Sequence, residues 1–329
     1  MKKIKSILLI ALVMSPLAAI AQYTDVINSN RPGVSKSAFS VGTNVLQFEL
    51  GALTVKEEHE PLNYEVSGFG IDFATRFGLL LEQLEINIEG IYQNDTFMST
   101  ASSLVTENKR SNFRNFTIGA KYLVYDPYKN AEEDKPNIYS YHANRKFKWK
   151  SLIPAVAVYA GANLDGEGNP YIPNSSVFGG VREGGFSPKI MVATQNNFAG
   201  GWVFVTNFLM DRIGTDYSEF QYILTLTHSF SDQWVLFGEA QGIKGDFYSD
   251  NIFRFGGAYL WSKNFQLDTN IAFNTKNTPS VFNIALGASY RFDWHKDKEI
   301  DNGGKVEDKV DTSNRKTRKK KKTDFDSDN

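Results

Sequence analysis

The chain has four histidines, the residues that most often serve as general bases in hydrolytic enzymes. A serine hydrolase needs a serine, a histidine and an orienting polar residue brought together at one site. His59 is predicted to lie in a loop, and no serine stands at a spacing that ties it to this histidine. His142, His228 and His295 are predicted in a long turn, at a strand end and after the last strand. The sequence therefore predicts that this protein is not an enzyme.

Metal chemistry is not indicated by the acidic residues either. Glu57-Glu58-His59-Glu60 places neighbouring side chains on an extended loop, where they point apart. Asp165-Gly166-Glu167-Gly168-Asn169 lacks the full spacing and the closing glutamate of a calcium loop. The chain contains no cysteine, which excludes disulfides and thiolate metal sites. We therefore predict no metal site and no cofactor.

The first residues are typical of an export signal. Residues 1–5 are basic, residues 6–20 are largely apolar, and Ala19-Ile20-Ala21 is a small-residue cleavage pattern. The apolar run is shorter than the roughly 20 residues that a membrane-spanning helix needs. We predict that residues 1–21 are a signal peptide and that the mature chain begins at Gln22.

Residues 280–294 show a strict period of two. Phe282, Ile284 and Leu286 fall on one face, and Asn283 and Arg291 fall on the other. Similar segments recur along the chain. They are longer than soluble strands, which average about 5–6 residues, and they match the roughly 9–11 residues that a tilted strand needs to cross a bilayer. The pattern predicts an all-β fold, an antiparallel up-and-down transmembrane β-barrel.

Twelve strands are predicted, with fourteen as the alternative. The predicted strands are 45–55, 64–76, 83–94, 113–123, 152–163, 186–196, 200–210, 219–230, 233–243, 251–260, 264–274 and 281–293. Long polar loops are expected at 95–112 and 164–185, opposite short turns. Segment 124–151 is too long for a turn and suggests an extra pair of strands or a short helix. The strands at 152–163 and 200–210 are apolar on both faces, so their inward face cannot be assigned.

Charged residues on the polar faces are predicted to line the lumen, because an Arg or Lys facing lipid at mid-membrane costs about 2–4 kcal/mol. The candidates are Glu49, Asp72, Arg76, Glu85, Glu89, Lys121, Lys189, Glu239, Arg254, Asp268 and Arg291. Six of these are acidic and five are basic, so no ring of one sign predicts ion selectivity. Two interpretations remain open: a polar conduit for small solutes, or charge pairs that fill a narrow barrel.

An opening motif precedes and enters the first strand. It consists of Asn30-Arg31-Pro32 followed by Gln47, Glu49 and Gly51 in the pattern Gln-x-Glu-x-Gly. This resembles the start of the barrel family named after the phenol meta-pathway protein, in which an aspartate usually stands where Asn30 stands here. The resemblance implies a transport-type outer-membrane barrel without a defined substrate.

Residues 22–44 are predicted to form a periplasmic lead-in segment before a barrel of residues 45–294. Arg31-Pro32-Gly33 favours a rigid stretch followed by a turn, because proline fixes its own backbone and restricts the residue before it. The lead-in is therefore predicted to be either a plug or a simple linker.

Residues 295–329 are predicted to be a disordered charged tail. They have almost no apolar side chains and include the basic run 315–322, so they cannot bury enough surface to fold. Outer-membrane lipids are the expected partners of the barrel. The tail could bind a periplasmic protein or an envelope polymer, or stay solvated without a partner. Nucleic acid is not expected, because the chain is exported and its net charge is −1.

These features together predict a protein of the outer membrane of a Gram-negative bacterium, with both termini in the periplasm. The expected function is a channel or transporter for small solutes. The alternative is a closed barrel that acts as an anchor or accessory subunit of an envelope or secretion machine.

Overall fold

The computed structural model describes residues 26–128, 149–166, 168–171 and 185–294. Their strands are β1 Val45–His59, β2 Tyr64–Gly78, β3 Leu84–Ser99, β4 Thr106–Tyr125, β5 Ala155–Asp165, β6 Gly185–Phe198, β7 Trp202–Asp211, β8 Glu219–Ser229, β9 Trp234–Gly245, β10 Ser249–Ser262, β11 Phe265–Asn274 and β12 Ser280–Asp293. A short 3₁₀ helix spans Trp149–Leu152. No helix among the described residues is both long and apolar enough to span a membrane. The predicted signal peptide, the charged tail and most of segment 124–151 lie outside the described residues.

The twelve strands form one closed antiparallel barrel in which each strand pairs with its neighbours in the chain. β12 pairs with β1, from Val45 opposite Asp293 to Leu53 opposite Ala285, and this pairing closes the ring. β4 pairs directly with β5, with Lys121 opposite Tyr159. The prediction of a twelve-strand barrel closed by its last strand is confirmed. The fourteen-strand alternative is wrong, because β4 pairs directly with β5 and the twelve described strands close the ring without a further pair.

The period of two separates the two faces of the wall. On β1, Phe48 and Leu50 are exposed, whereas Gln47 and Glu49 between them are buried. Because the sheet is closed, the buried face lines the lumen and the exposed apolar face forms the outside of the barrel. Such an outer apolar band is what lipid contacts in a transmembrane barrel.

Exposed tryptophans mark the end of the barrel that carries the short turns and the start of β1, here called the turn end. Trp202 and Trp234 begin β7 and β9, Trp261 lies near the end of β10, and Trp294 follows β12. Aromatic rings with a polar edge are enriched where a membrane meets water. This end of the barrel therefore lies at a membrane interface.

The predicted long loop at 95–112 is wrong. β3 continues to Ser99 and β4 already begins at Thr106, so the connection spans only residues 100–105. The reason is compositional: at this end of the barrel, the loop end, polar residues occupy both faces of the hairpin. The apolar alternation that marks a membrane strand is absent there, although the backbone pairing continues, with Asp95 opposite Arg110.

Candidate functional site

Residues 26–44, here called the inner segment, run inside the barrel before the chain enters β1. They contain no helix or strand. The segment returns to the wall at Asn44, whose backbone N–H donates to the carbonyl oxygen of Gly78 at 3.1 Å. Gly42 and Asn44 both have positive φ, a conformation that glycine and asparagine tolerate best. Residues 26–44 of the predicted lead-in therefore lie in the lumen of the barrel.

Arg31 is the central contact of the inner segment. Its guanidinium lies between Asp268 on β11 and Asp72 on β2, with Nη2 3.1 Å from Oδ1 of Asp268. Nε of Arg31 also donates to the same carboxylate at 3.2 Å. In the barrel order, β1 and β12 stand between these two strands. Arg31 therefore bridges the seam at which the barrel closes.

Two glycines make room for this guanidinium. A Cβ atom at Gly51 on β1 would lie 2.3 Å from Nη2 of Arg31, and one at Gly287 on β12 would lie 2.2 Å from it. Side-chain carbon atoms do not approach other heavy atoms so closely. The last position of the Gln-x-Glu-x-Gly pattern is therefore explained by the arginine that precedes it in the motif.

The remaining positions of the opening motif meet at the same place. Nε2 of Gln47 donates to the carbonyl oxygen of Asn28 at 3.2 Å and to Oε1 of Glu49 at 2.7 Å. Glu49 also accepts the backbone N–H of Asn30 at 3.2 Å. Pro32 contributes its carbonyl oxygen, which accepts from Nδ2 of Asn270 at 2.6 Å. Because alternate residues of a strand share one face, positions 47, 49 and 51 all point at the inner segment.

Glu239 holds the middle of the inner segment. Its carboxylate accepts the backbone N–H groups of Val34 and Ser35, each at 3.1 Å. It also accepts a hydrogen bond from Thr225 at 2.8 Å and one from Arg254 at 3.1 Å. These four donors satisfy the hydrogen-bonding capacity of a buried carboxylate. Glu239 therefore acts as a clamp on the backbone of the segment.

Lys36 and Asn207 form the next contact toward the loop end. Asn207 accepts the backbone N–H of Lys36 at 2.6 Å and donates to its carbonyl oxygen at 2.9 Å. The ammonium of Lys36 pairs with Glu89, which also lies 3.7 Å from the ammonium of Lys189. The two hydrogen bonds between Asn207 and the backbone of Lys36 hold this part of the segment to β7. The carboxylate of Glu89, which Lys36 shares with Lys189, holds it to β3 and β6.

Glu85 is the centre of a buried charge network. Arg76 donates to both of its oxygens at 2.9 Å, the two-pronged geometry that arginine makes with carboxylates. The ammonium of Lys121 lies 3.3 Å from Oε1 of Glu85 and donates to the carbonyl oxygens of Ser37 and Phe39 at 2.9 Å each. This network connects β2, β3 and β4 to the inner segment.

An apolar patch explains why two strands are apolar on both faces. Phe39 and Ala38 of the inner segment pack against inward side chains of β4 to β8. The members of this cluster on the barrel wall are Leu123, Ala155, Ala157, Tyr159, Met191, Ala193, Leu209 and Ile223. The inner face of β5 and the Leu209 position of β7 are apolar because the segment covers them.

All eleven charged lumen candidates lie on the inward face of the wall, and each takes part in an ion pair. Lys189 and Arg254 join the network through Glu89 and Glu239, and Arg291 lies 3.1 Å from Asp293. The other eight contact the inner segment directly. Sequence reasoning missed Lys36 and Asn207. The signal for Asn207 was present, because it is an amide on the inward face of an otherwise apolar strand.

The loop end of the lumen has a smaller cluster. Nε of Arg110 donates to Asp95 at 2.7 Å, and its guanidinium carbon lies 5.2 Å from the ring centre of Tyr171. The hydroxyl of Tyr171 donates to the carbonyl oxygen of Gln93 at 3.0 Å. Burial, together with the nearby Asp95 charge, raises the pKa of Tyr171, so it remains a donor at neutral pH. These contacts fold residues 168–171 onto β3 and β4.

The sequence of residues 29–292 matches the model of the family described as "Putative MetA-pathway of phenol degradation". The chain belongs to this family. The match covers the inner segment from its fourth described residue and almost the whole barrel. A comparison with curated proteins gives no match.

Several solved structures resemble the barrel in overall shape. An outer membrane channel from Pseudomonas putida F1 is 10% identical, with a TM-score of 0.49, and the match covers 81% of this chain and 100% of that one. The transport unit of the autotransporter AIDA-I from Escherichia coli is 10% identical, with a TM-score of 0.46, covering 86% and 97%. The Pseudomonas putida toluene transporter TodX is 9% identical, with a TM-score of 0.41, covering 83% and 95%. At this level the likenesses say nothing about function.

The closed barrel, its exposed apolar band and the family match identify the chain as an outer-membrane β-barrel protein. Its distinguishing feature is the inner segment, which brings the opening motif and most of the predicted lumen charges together.

Proposed function

We propose that this protein is an outer-membrane channel for small solutes, which the inner segment closes at rest and must shift to open. The observation that carries the proposal is the filling of the lumen. Charged and amide side chains line much of the interior, and a segment of the same chain occupies the space that they enclose. A rigid barrel with a separate segment inside has two parts that can move relative to each other.

The contacts of the inner segment support a movable closure. The segment has no helix or strand of its own, and most of its bonds run from side chains of the wall to its backbone. Each such bond contributes about 0.5–1.5 kcal/mol net, or about 1.5–3 kcal/mol where the wall group is charged, because water replaces it when it breaks. The ladders of the barrel do not depend on these bonds. The wall can therefore keep its structure while part of the segment moves.

The start of β1 and the end of β12 lie at the same end of the barrel, which suits a route between the outside and the periplasm. We propose that the turn end, which carries both ends of the barrel, faces the periplasm, as bacterial barrels usually have it. The inner segment then closes the lumen from the periplasmic side.

A closed barrel that anchors or assists a larger envelope machine is the second candidate. The contacts of Arg31, Arg76 and Lys121 favour it, because an ion pair of Arg31 and hydrogen bonds from Arg76 and Lys121 to carbonyl oxygens fix the segment at several points. In this case the segment would never leave the lumen, and the protein would pass no solute.

Planar-bilayer recording on the purified protein separates the two candidates. The channel proposal expects brief openings of the wild-type protein and a larger open fraction in Arg31→Gln, because the substitution removes the cation at the seam. A wild type and a variant that both stay silent would support the anchor and contradict the channel.

A further inference from the structure

The inner segment does not fill the lumen evenly. A cavity of about 650 Å³ lies at the turn end, between residues 26–37 of the inner segment and the inward faces of β7 to β10. We call it the turn-end pocket. Its volume lies within the range of about 300–1,000 Å³ that small-molecule sites occupy.

The two walls of the turn-end pocket differ in chemistry. The barrel wall carries mainly apolar side chains, with two threonines among them and a glutamine on each neighbouring strand: Val203, Val205, Thr225, Thr227, Val235, Phe237, Ala258, Leu260, Gln195 and Gln266. On the opposite wall, Val26 and Ile27 are followed by the polar stretch Asn28-Ser29-Asn30. This half of the lumen contrasts with β1 to β4, where charged side chains face the segment.

The cation that lines the turn-end pocket is already engaged. Arg31 lines it, but its guanidinium is held by Asp72 and Asp268. Asp232 lies in the turn between β8 and β9, at the mouth, and disfavours an anion there. An anion would therefore lose hydration in the pocket without gaining a partner, whereas a neutral molecule would bury its apolar body against the valines and the phenylalanine.

The turn-end pocket opens at one end and is closed at the other. Its mouth lies at the turns that contain Gly201 and Phe230, and its deep end is lined by Ser35 and Thr225. Glu239 bonds to both of these residues. A molecule in the pocket therefore stops at the Glu239 clamp, next to the part of the segment that must shift for passage.

We propose that the turn-end pocket binds small neutral molecules that have an apolar body and one polar group, such as a cyclic alcohol. The apolar body packs on β7 to β10, and the polar group meets the amides and hydroxyl of Asn28, Ser29 and Asn30. Binding itself does not depend on the proposed channel. A role of the pocket in transport, in which a solute is bound there before it passes the barrel, does rest on the proposed channel.

Thiol labelling tests the binding directly, because the chain has no cysteine of its own. Thr227→Cys places a thiol in the pocket, and Leu226→Cys, one residue earlier on the lipid face, is the matched control. Labelling with a small thiol reagent is followed in cyclohexanol, cyclohexanecarboxylate and myo-inositol, which share one ring. We expect saturating cyclohexanol to slow labelling of Thr227→Cys at least fivefold, and the other two compounds to change it less than twofold.

Two controls secure the interpretation. Ala258→Phe, added to Thr227→Cys, fills the pocket and should abolish the protection by cyclohexanol. Leu226→Cys should be labelled at the same rate in all three compounds. Equal protection by all three, no protection by cyclohexanol, or protection that survives Ala258→Phe would each overturn the proposal. A silent bilayer recording with intact protection would contradict the channel alone, whereas conductance without protection would contradict the pocket alone.

Discussion

Replacing Arg31 with glutamine is expected to release the inner segment without unfolding the barrel. The guanidinium is buried between two carboxylates, and the side chain of Asp268 is fully buried whereas that of Asp72 is about one third exposed. Removing one partner of a buried ion pair typically costs about 3–5 kcal/mol, because the other charge is left without compensation. We take the lower end, about 3 kcal/mol, because water can still solvate Asp72.

This loss should appear as a change in the opening equilibrium of the segment. Since every 1.4 kcal/mol corresponds to about a factor of ten, a loss of about 3 kcal/mol raises the released population about a hundredfold. Ala38→Cys provides the probe, because Ala38 is fully buried in the apolar cluster and does not line the turn-end pocket. When opening and closing are fast, the rate of thiol labelling is proportional to the open population. Labelling of Ala38→Cys should therefore be about a hundredfold faster in Arg31→Gln.

Two variants complete the Arg31 experiment. Arg212→Gln breaks an ion pair with Asp165 at the loop end, away from the inner segment, and should leave the labelling rate within about threefold. Adding Asp268→Asn to Arg31→Gln removes the uncompensated buried charge and should recover at least part of the protection. An Arg31→Gln protein that labels no faster than the Arg212→Gln control would refute the reasoning.

Three further substitutions test other parts of the account. Gly51→Ala places a Cβ 2.3 Å from the guanidinium and should speed labelling of the probe thiol. Gly70→Ala meets a leucine side chain at 3.2 Å and a backbone carbonyl oxygen at 3.4 Å, neither in the inner segment, and should not. Glu85→Gln removes the carboxylate that Arg76 and Lys121 share and should lower the free energy of unfolding by about 3 kcal/mol. In electrophoresis the folded band should then be lost at a lower temperature. An unchanged temperature would contradict the network. Phe39→Ala removes the apolar anchor of the segment and should cost about 3–5 kcal/mol, with faster labelling of the probe, while Phe48→Ala on the lipid face should leave labelling unchanged.

Much of the barrel could be predicted from the sequence, because the membrane imposes a simple rule. On β1 and β12 every second residue must suit lipid, so Leu286 and Phe48 identify their strands and faces. The rule fails where the outward face of a strand does not meet lipid, or where its inward face does not meet water. Asp95 and Arg110 lie in a hairpin with polar residues on both faces, so its strands could not be distinguished from a loop.

The contents of the lumen could not be predicted in the same way. Arg31 meets Asp268 across 237 positions of the chain, and no local pattern records such a pairing. The double-faced apolar strands did carry a signal: an apolar inner face needs a cover, and Phe39 supplies it. The family resemblance identified the opening motif, but only the geometry explains why glycine stands at position 51.

The central claim is that the inner segment must move for a solute to pass, and a reversible lock tests it most directly. Oγ of Ser29 and Oγ of Ser289 lie 2.7 Å apart, so cysteines at both positions can form a disulfide that ties the segment to β12. Asn44 already joins the other end of the segment to β1. We expect the oxidised double variant to be silent in planar bilayers and to regain openings when a reductant is added, while each single variant behaves like the wild type. Equal conductance before and after reduction would contradict the account, because solute would then pass without movement of the segment.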